Sequence, residues 1–492
     1  MISRRQLLAG ASLGGLAACK RDQAQTFPRV SGTTSAERAV NAAKRFAGMT
    51  INCGWESGMQ SHDLLQFSGP LWEKLTGIHI NVVELGSPID AYRRMYHEHQ
   101  AGTGALDCGM LAPAWMPDLL LVGALEPLDA FVDHYMLPGD LDDFLPLYRT
   151  LGTWNGKRYG LFDDGDVLLL YYRRDLFEDP QLQAEFAARF GHPLGNPARY
   201  DWQQFADAAQ FFTEKMAPQM FGMAPFNRDL RWGWFQGLLR KNGGQFFDPD
   251  TMKPGVDAPA GLLTMTQLSQ LDRFMPPGVA DIAPKEAMLT TYASGAAAMA
   301  SFWPPLGRWT EGYGITPEEL GAMPRTRVVG KTGYALLPGG VAQLALGFLL
   351  CVFERSRRKE AAYLFMQWLN SPEISLERVM LPYALRDPFR LSHISSPKYR
   401  ARWPAAKEYL DTLGAAATKG AMLDLILPGH ADYADAFFIA VTDVRLGTPV
   451  PEAMKRMAGR WDAVTDRYGR SSQRAAYAEY LRKPGATLVA PP

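Results

Sequence analysis

Cysteine is scarce, with four in 492 residues, at positions 19, 53, 108 and 351. None forms a CxxC pair or shows metal-ligand spacing, which argues against a zinc ribbon and against a dithiol enzyme. A basic excess is missing too: 51 Lys+Arg face 51 Asp+Glu, so the chain carries no electrostatic footprint for nucleic acid. Beyond the first residues no run is long and charge-free enough to span a bilayer, which takes roughly 20 apolar residues. Internal repeats and low-complexity tracts are absent, as are the GxSxG and HExxH signatures of secreted hydrolases. What remains is a globular composition, 47% hydrophobic, in a chain long enough for roughly two or three domains.

The N-terminus carries the most specific local signal. Ser3-Arg4-Arg5-Gln6-Leu7-Leu8 resembles a twin-arginine export motif, and Leu16-Ala17-Ala18-Cys19 resembles a lipobox. Residues 1–19 therefore read as a lipoprotein signal peptide, with Cys19 the lipidated residue and 20–47 a polar, small-residue tether. This places the chain in the periplasm or at the cell surface, held to a membrane by its lipid. The competing reading is the buried start of a cytosolic protein. Cys53, Cys108 and Cys351 read as small buried hydrophobes. Cys53 and Cys108 fall on strands that could be neighbours, where parallel geometry disfavours a bridge.

After the tether, strand and helix alternate. Thr50-Ile51-Asn52-Cys53 predicts a strand, and Phe67, Leu71 and Leu75 a helical stripe stopped by Gly77. Ile78 to Val82 predicts a second strand, Ser87-Pro88 opens a second helix, and Asp107 to Leu111 predicts a third strand. This order argues for open, mainly parallel α/β sheets flanked by helices, in which ligands sit beyond the carboxyl ends of the strands. Trp55 and Glu56 end the first strand, and Trp115 follows the third.

Several segments in order then resemble the family 1 extracellular solute-binding proteins of bacterial ABC-type sugar importers. They are Trp72 to Ile78, Ala101 to Asp107, Gly123 to Asp129, Tyr159-Gly160-Leu161, Leu170 to Phe177, Ser294 to Met299, Pro338-Gly339-Gly340, and Glu360 to Glu373. The resemblance implies a two-lobed, periplasmic-binding-protein-like clamp of type II kind that closes on its ligand. It implies a first lobe of 48–163 plus 291–338 and a second of 167–290 plus 345–492, with a hinge near Gly160 or Gly165. It also implies a small polar solute, a carbohydrate or polyol, handed by a monomer to ABC permease subunits, with no cofactor, no metal and no catalysis.

Sugar recognition needs flat aromatic faces for C–H surfaces and planar polar groups for hydroxyls. Trp55, Trp115 and Trp303 stand at expected strand ends, and Trp232 and Trp234 lie in a segment resembling a cleft-facing helix. Asp164 and Asp166, in Asp163-Asp164-Gly165-Asp166, match the family's acidic position, and Arg386 matches a cleft arginine. Phe348 stands near where relatives commonly carry a tryptophan, keeping a stacking face but losing the indole donor. The expected ligand-binding set is thus Trp55, Glu56, Trp115, Asp164, Asp166, Trp234, Trp303, Phe348 and Arg386, set against lobe packing for any one tryptophan and a solvated turn for the aspartates. Trp368 and Trp461 lie on helical apolar stripes and read as core. A ferric-ion binder built on Tyr171-Tyr172 is disfavoured, because neighbouring strand residues point to opposite faces. A sensor or scaffold subunit of the same fold and a secreted carbohydrate-active enzyme are the remaining alternatives; the enzyme would need two paired carboxylates that no spacing marks.

Overall fold

The computed structural model describes residues 27–278, 284–312, 326–381, 383, 385–419 and 421–487. The signal-peptide motif and Cys19 lie outside the described residues.

Alternation holds at the exposed edge of the first sheet, where His79 and Asn81 flank buried Ile80, and is lost in its inner strands, which are covered on both faces. Strand β1 (Thr50–Trp55) lies between β2 (His79–Glu84) and β3 (Cys108–Leu111), parallel to both, with Cys53 opposite Cys108. The two thiols stand 3.3 Å apart, and all three described cysteines are buried and free. Helices Gly69–Thr76 and Pro88–Ala101 make the crossovers, each with proline in its first turn and ended by a left-handed glycine, Gly77 or Gly102. The expected stripe through Phe67, Leu71 and Leu75 is out of phase. A π-helical turn, Leu64–Ser68, precedes the helix and shifts its buried face to Trp72 and Thr76, leaving Leu75 exposed.

A hairpin, β4 (Thr153–Trp154) with β5 (Lys157–Arg158), leads to β6 (Leu161–Asp164), and the chain leaves the first sheet at Gly165. The second sheet forms around β7 (Val167–Arg173), with β8 (Phe221–Met223), β9 (Ala297–Phe302), β10 (Thr332–Ala335), β11 (Ala342–Leu344) and β13 (Ala421–Met422). Its order is β13-β11-β7-β9-β8, and β10 also pairs with β7. Strand β12 (Phe348–Val352) returns to the first sheet, whose order is β2-β1-β3-β12-β6. Both sheets are mixed: parallel within β–α units, antiparallel where a crossing strand joins.

Strand pairing redraws two expected boundaries. Residues 291–338 were expected in the first lobe, yet β9 pairs with β7 and β8, and β10 pairs with β7. Residues from 345 onward were expected in the second, yet β12 runs between β3 and β6, and helix Lys359–Asn370 packs on β12, β6 and helix Ser35–Ala43. Every residue of β9 and β12 is buried, so their local patterns are alike and only partners tell them apart. The tether is also shorter than expected. Thr34 caps helix Ser35–Ala43, whose Ala39 and Ala43 are fully buried, and Phe27 packs on Phe131 at 5.4 Å. Alanines that suggested a flexible linker are the close-packing face of a helix.

Candidate functional site: the cleft between the sheets

Two short segments carry the chain between the sheets side by side, Asp164-Gly165-Asp166 and Ala345-Leu346-Gly347, and a third segment around Asp387 packs against them. The Ala345 N–H donates to the Asp166 carbonyl at 3.0 Å, the Gly347 N–H to the Asp166 carboxylate at 3.0 Å, and the Asp387 N–H to Asp164 at 2.8 Å. Leu346 and Gly347 both adopt left-handed backbone, at φ +72° and +64°. That conformation costs a leucine roughly 1–2 kcal/mol, and it falls where the chain crosses. Around this hinge the charges are buried. Arg386 donates to Asp164 at 2.8 Å and lies with its guanidinium 5.2 Å from the centre of the Trp55 ring, while Arg378 joins Asp163 and Asp63 at 2.6 and 2.7 Å. Burial raises the Asp164 pKa to about 6 despite Arg386. Asp166 and Asp387 are pushed well above the carboxylate range, first by burial and then by Asp164.

Beside the hinge a charge pair crosses from sheet to sheet. Lys285, which opens helix Lys285–Ala293 before β9, donates to Glu56 at the end of β1 at 2.9 Å. Its ammonium also lies 5.5 Å from the centre of the Trp303 ring. Burial opposes its charge, but Glu56 and Asp229 outweigh burial and hold its pKa above the usual lysine value. The Trp303 indole donates to the Ala345 carbonyl at 2.9 Å, tying β9's end to the second crossing.

Further out, a cavity of about 180 Å³ opens between the two sides. Ile89, Arg93 and Trp115 line it from the first lobe; Trp232, Asp424, His430 and Phe438 line it from the second. Trp115 stacks on Tyr92 at 5.4 Å and meets His430 edge-on at 6.2 Å, and Trp232 meets His430 edge-on at 5.8 Å. One oxygen of Asp424 orders the second-lobe wall, accepting from Trp232 at 3.0 Å and Gln236 at 2.7 Å, with His430 Nε2 at 3.1 Å. Burial works against the Asp424 charge, but His430 and these donors keep its pKa below the usual range. A hydrogen bond bridges the lobes behind this wall, from the Gly429 N–H to Asp118 at 2.8 Å. Burial raises the Asp118 pKa to about 6 against that bond and the nearby His430.

The expected residues divide accordingly. Of the nine, Trp115 lines the cavity, and Glu56 and Trp303 meet at Lys285. Trp55, Asp164, Asp166 and Arg386 are packed into the hinge, and Phe348 is a buried residue of β12 paired with Asp164. Trp234 is core: it is fully buried among Trp202, Phe205 and Phe226 and donates to Ser301 at 2.9 Å. Two residues on from Trp232, it points to the far side of helix Arg228–Lys241. Sequence reading missed Lys285, Asp424 and His430. Gly429, left-handed at φ +80° before helix His430–Arg445, was the available signal for His430.

Residues 61–375 match the family model described as bacterial extracellular solute-binding protein.
The chain belongs to that family.
A curated relative of this solute-binding protein is a probable amino-acid ABC transporter periplasmic-binding protein, y4oP, of Sinorhizobium fredii. It is 24% identical over 379 residues, covering 74% of this chain and 77% of the relative. Among solved structures, maltose-bound MalE3 of T. maritima superposes with a TM-score of 0.68 at 21% identity, covering 85% of this chain and all of the other. An ABC transporter solute-binding protein of Agrobacterium radiobacter with ribitol gives 0.67 at 20%, covering 85% and 99%. One of Agrobacterium vitis with D-mannitol gives 0.67 at 19%, covering 86% and 99%. The fold is the two-lobed clamp of these proteins, and among the described residues no helix is long and apolar enough to cross a membrane.

Proposed function

We propose that this solute-binding protein is exported, lipid-anchored through Cys19, and delivers a carbohydrate or polyol to the permease of an ABC importer. The observation that carries the reading is the inter-lobe cavity, walled by the Trp115 and Trp232 rings with Asp424 and Arg93 at its edge. Aromatic faces and planar polar groups are what a ring or chain of C–H and hydroxyl groups requires. Three ligands named for the structural neighbours, maltose, ribitol and D-mannitol, belong to this class. The lobes divide at the crossings: 27–164 with 348–395 on one side, 167–344 with 406–487 on the other. Closure about Gly165 and Leu346-Gly347 presents the occupied form to the permease.

A second reading has its own support. Arg228 pairs with Asp435 at 2.9 Å on the cavity wall, beside Asp229. Both charge signs within one cavity suit a zwitterion, and the curated relative is named for amino-acid transport. A thermal-unfolding panel of sugars, polyols and amino acids separates the two. A ligand at 100 times its dissociation constant adds about 2.7 kcal/mol. A saturable rise with a sugar or polyol, lost in Trp115→Ala, is expected. A rise with amino acids alone discards the carbohydrate.

A further inference from the structure

The hinge holds more negative charge than its arginines neutralise. Five buried carboxyl groups, Asp63, Asp163, Asp164, Asp166 and Asp387, face three buried guanidinium groups, Arg308, Arg378 and Arg386, so with all five ionised two negative charges are left for a cation or protons to meet. Asp63 and Asp163 are spoken for by Arg378. The surplus falls on Asp164, Asp166 and Asp387, each of which brings a carboxylate oxygen within 4.8 Å of the other two. That is the separation of ligands on opposite sides of an ion with bonds of about 2.4 Å.

Asp387 supplies the second observation. Its side chain is fully buried and aimed into this group; apart from a proton shared with the Asp166 carboxyl, no hydrogen-bond donor among the described residues reaches either oxygen, and Arg308 stands at 3.6 Å. Asp166 gives one oxygen to the Gly347 N–H and shares a hydrogen bond with the Asp387 side chain. The oxygens of Asp164 each hold one N–H, from Arg386 and from Asp387, and retain a second lone pair. A buried charge left in this state costs several kcal/mol unless a cation or a proton meets it. Lys285 is near enough to act on Asp166 electrostatically, but its hydrogen bond goes to Glu56.

We propose that Asp164, Asp166 and Asp387 form a binding site for a hard divalent cation, calcium in the first instance. All-oxygen carboxylate ligands from two chain segments suit calcium better than zinc or copper, and backbone carbonyls or water would complete its six to eight positions. The cation bolts the segment at Asp164-Gly165-Asp166 to the one at Asp387, and Leu346-Gly347 is tied to it through the Gly347 N–H on Asp166. Nothing in this depends on which solute the cleft takes.

Calcium titrated into EDTA-dialysed protein at pH 7.5, without solute, tests the site by calorimetry and thermal unfolding. The expected result is saturable binding near the 10⁻⁴–10⁻³ M of extracellular calcium modules, with a rise of about 2–4 °C at 10 mM and a smaller response to magnesium. Asp387→Asn should abolish the calcium shift while raising the melting temperature of the metal-free protein, because it removes one carboxyl from a buried group with more carboxyls than guanidinium partners. Identical melting in calcium and EDTA, or a calcium shift that persists in Asp387→Asn, overturns the proposal. So does stability that climbs as pH falls from 8 to 5 with no calcium response, which assigns the two charges to protons. Should Asp387→Asn fail to fold, wild-type calorimetry decides, since absence of binding heat defeats the site.

Discussion

At the hinge end of the cleft, charge meets charge: Glu56 with Lys285, Asp164 with Arg386. At the outer end, aromatic rings surround open space, and the Trp115 indole N–H has no partner among the described residues. A solute entering the hinge end must compete with fixed ion pairs, which are costly to break one partner at a time. A solute at the outer end, where the proposed function places it, would displace water from ring faces. The same fold therefore joins an end held by buried ion pairs to an end lined by aromatic rings around open space.

The largest effect should come from emptying the aromatic wall. Trp232→Ala removes a ring buried against Phe235, Phe437 and His430 and deprives Asp424 of a donor. A loss of about 3–5 kcal/mol in urea unfolding is expected; less than 1 kcal/mol would mean the wall is not a packed unit. Next, Lys285→Met breaks the cross-lobe pair and leaves Glu56 and Asp229 facing each other. With Lys285 about a quarter exposed, the cost should be about 2–3 kcal/mol, partly recovered by adding Glu56→Gln. An additive double mutant would show the pair contributes nothing.

Asp118 tests the outer end through pH. Burial raises its folded pKa to about 6, above the roughly 3.9 of an unfolded chain. The folded state thus takes up the proton first, so the penalty is full above pH 6 and vanishes as pH falls towards 4. Asp118→Asn keeps an acceptor for Gly429 and should stabilise by about 1–2 kcal/mol at pH 8 and by little at pH 4. An equal difference at both pH values would remove titration as the cause. The smallest effect belongs to Trp115→Phe, which keeps stacking on Tyr92. A stability loss of about 1 kcal/mol with clearly weaker ligand response would show that the indole N–H serves the solute.

Much of the first lobe could be read along the chain. The β–α–β order through Leu111, the glycine stop at 77, and the place of Trp115 beyond the third strand all follow from local pattern. The Asp163 to Asp166 cluster was visible as a crossing, but not that Asp387 would hold Asp164 and Gly347 would hold Asp166 in the hinge. Trp232 and Trp234 were indistinguishable as neighbours, although only one can face the cavity from a given side of a helix.

Local chemistry is enough to write strands, helix stops and a membership of the solute-binding family into 492 residues. It cannot say which sheet a wholly buried strand will join. β9 and β12 have the same uninterrupted burial and end in different lobes, because the choice is made by hydrogen-bond partners distant in sequence. The cross-lobe meeting of Lys285 with Glu56 and of Asp118 with Gly429 was likewise decided only when the lobes came together.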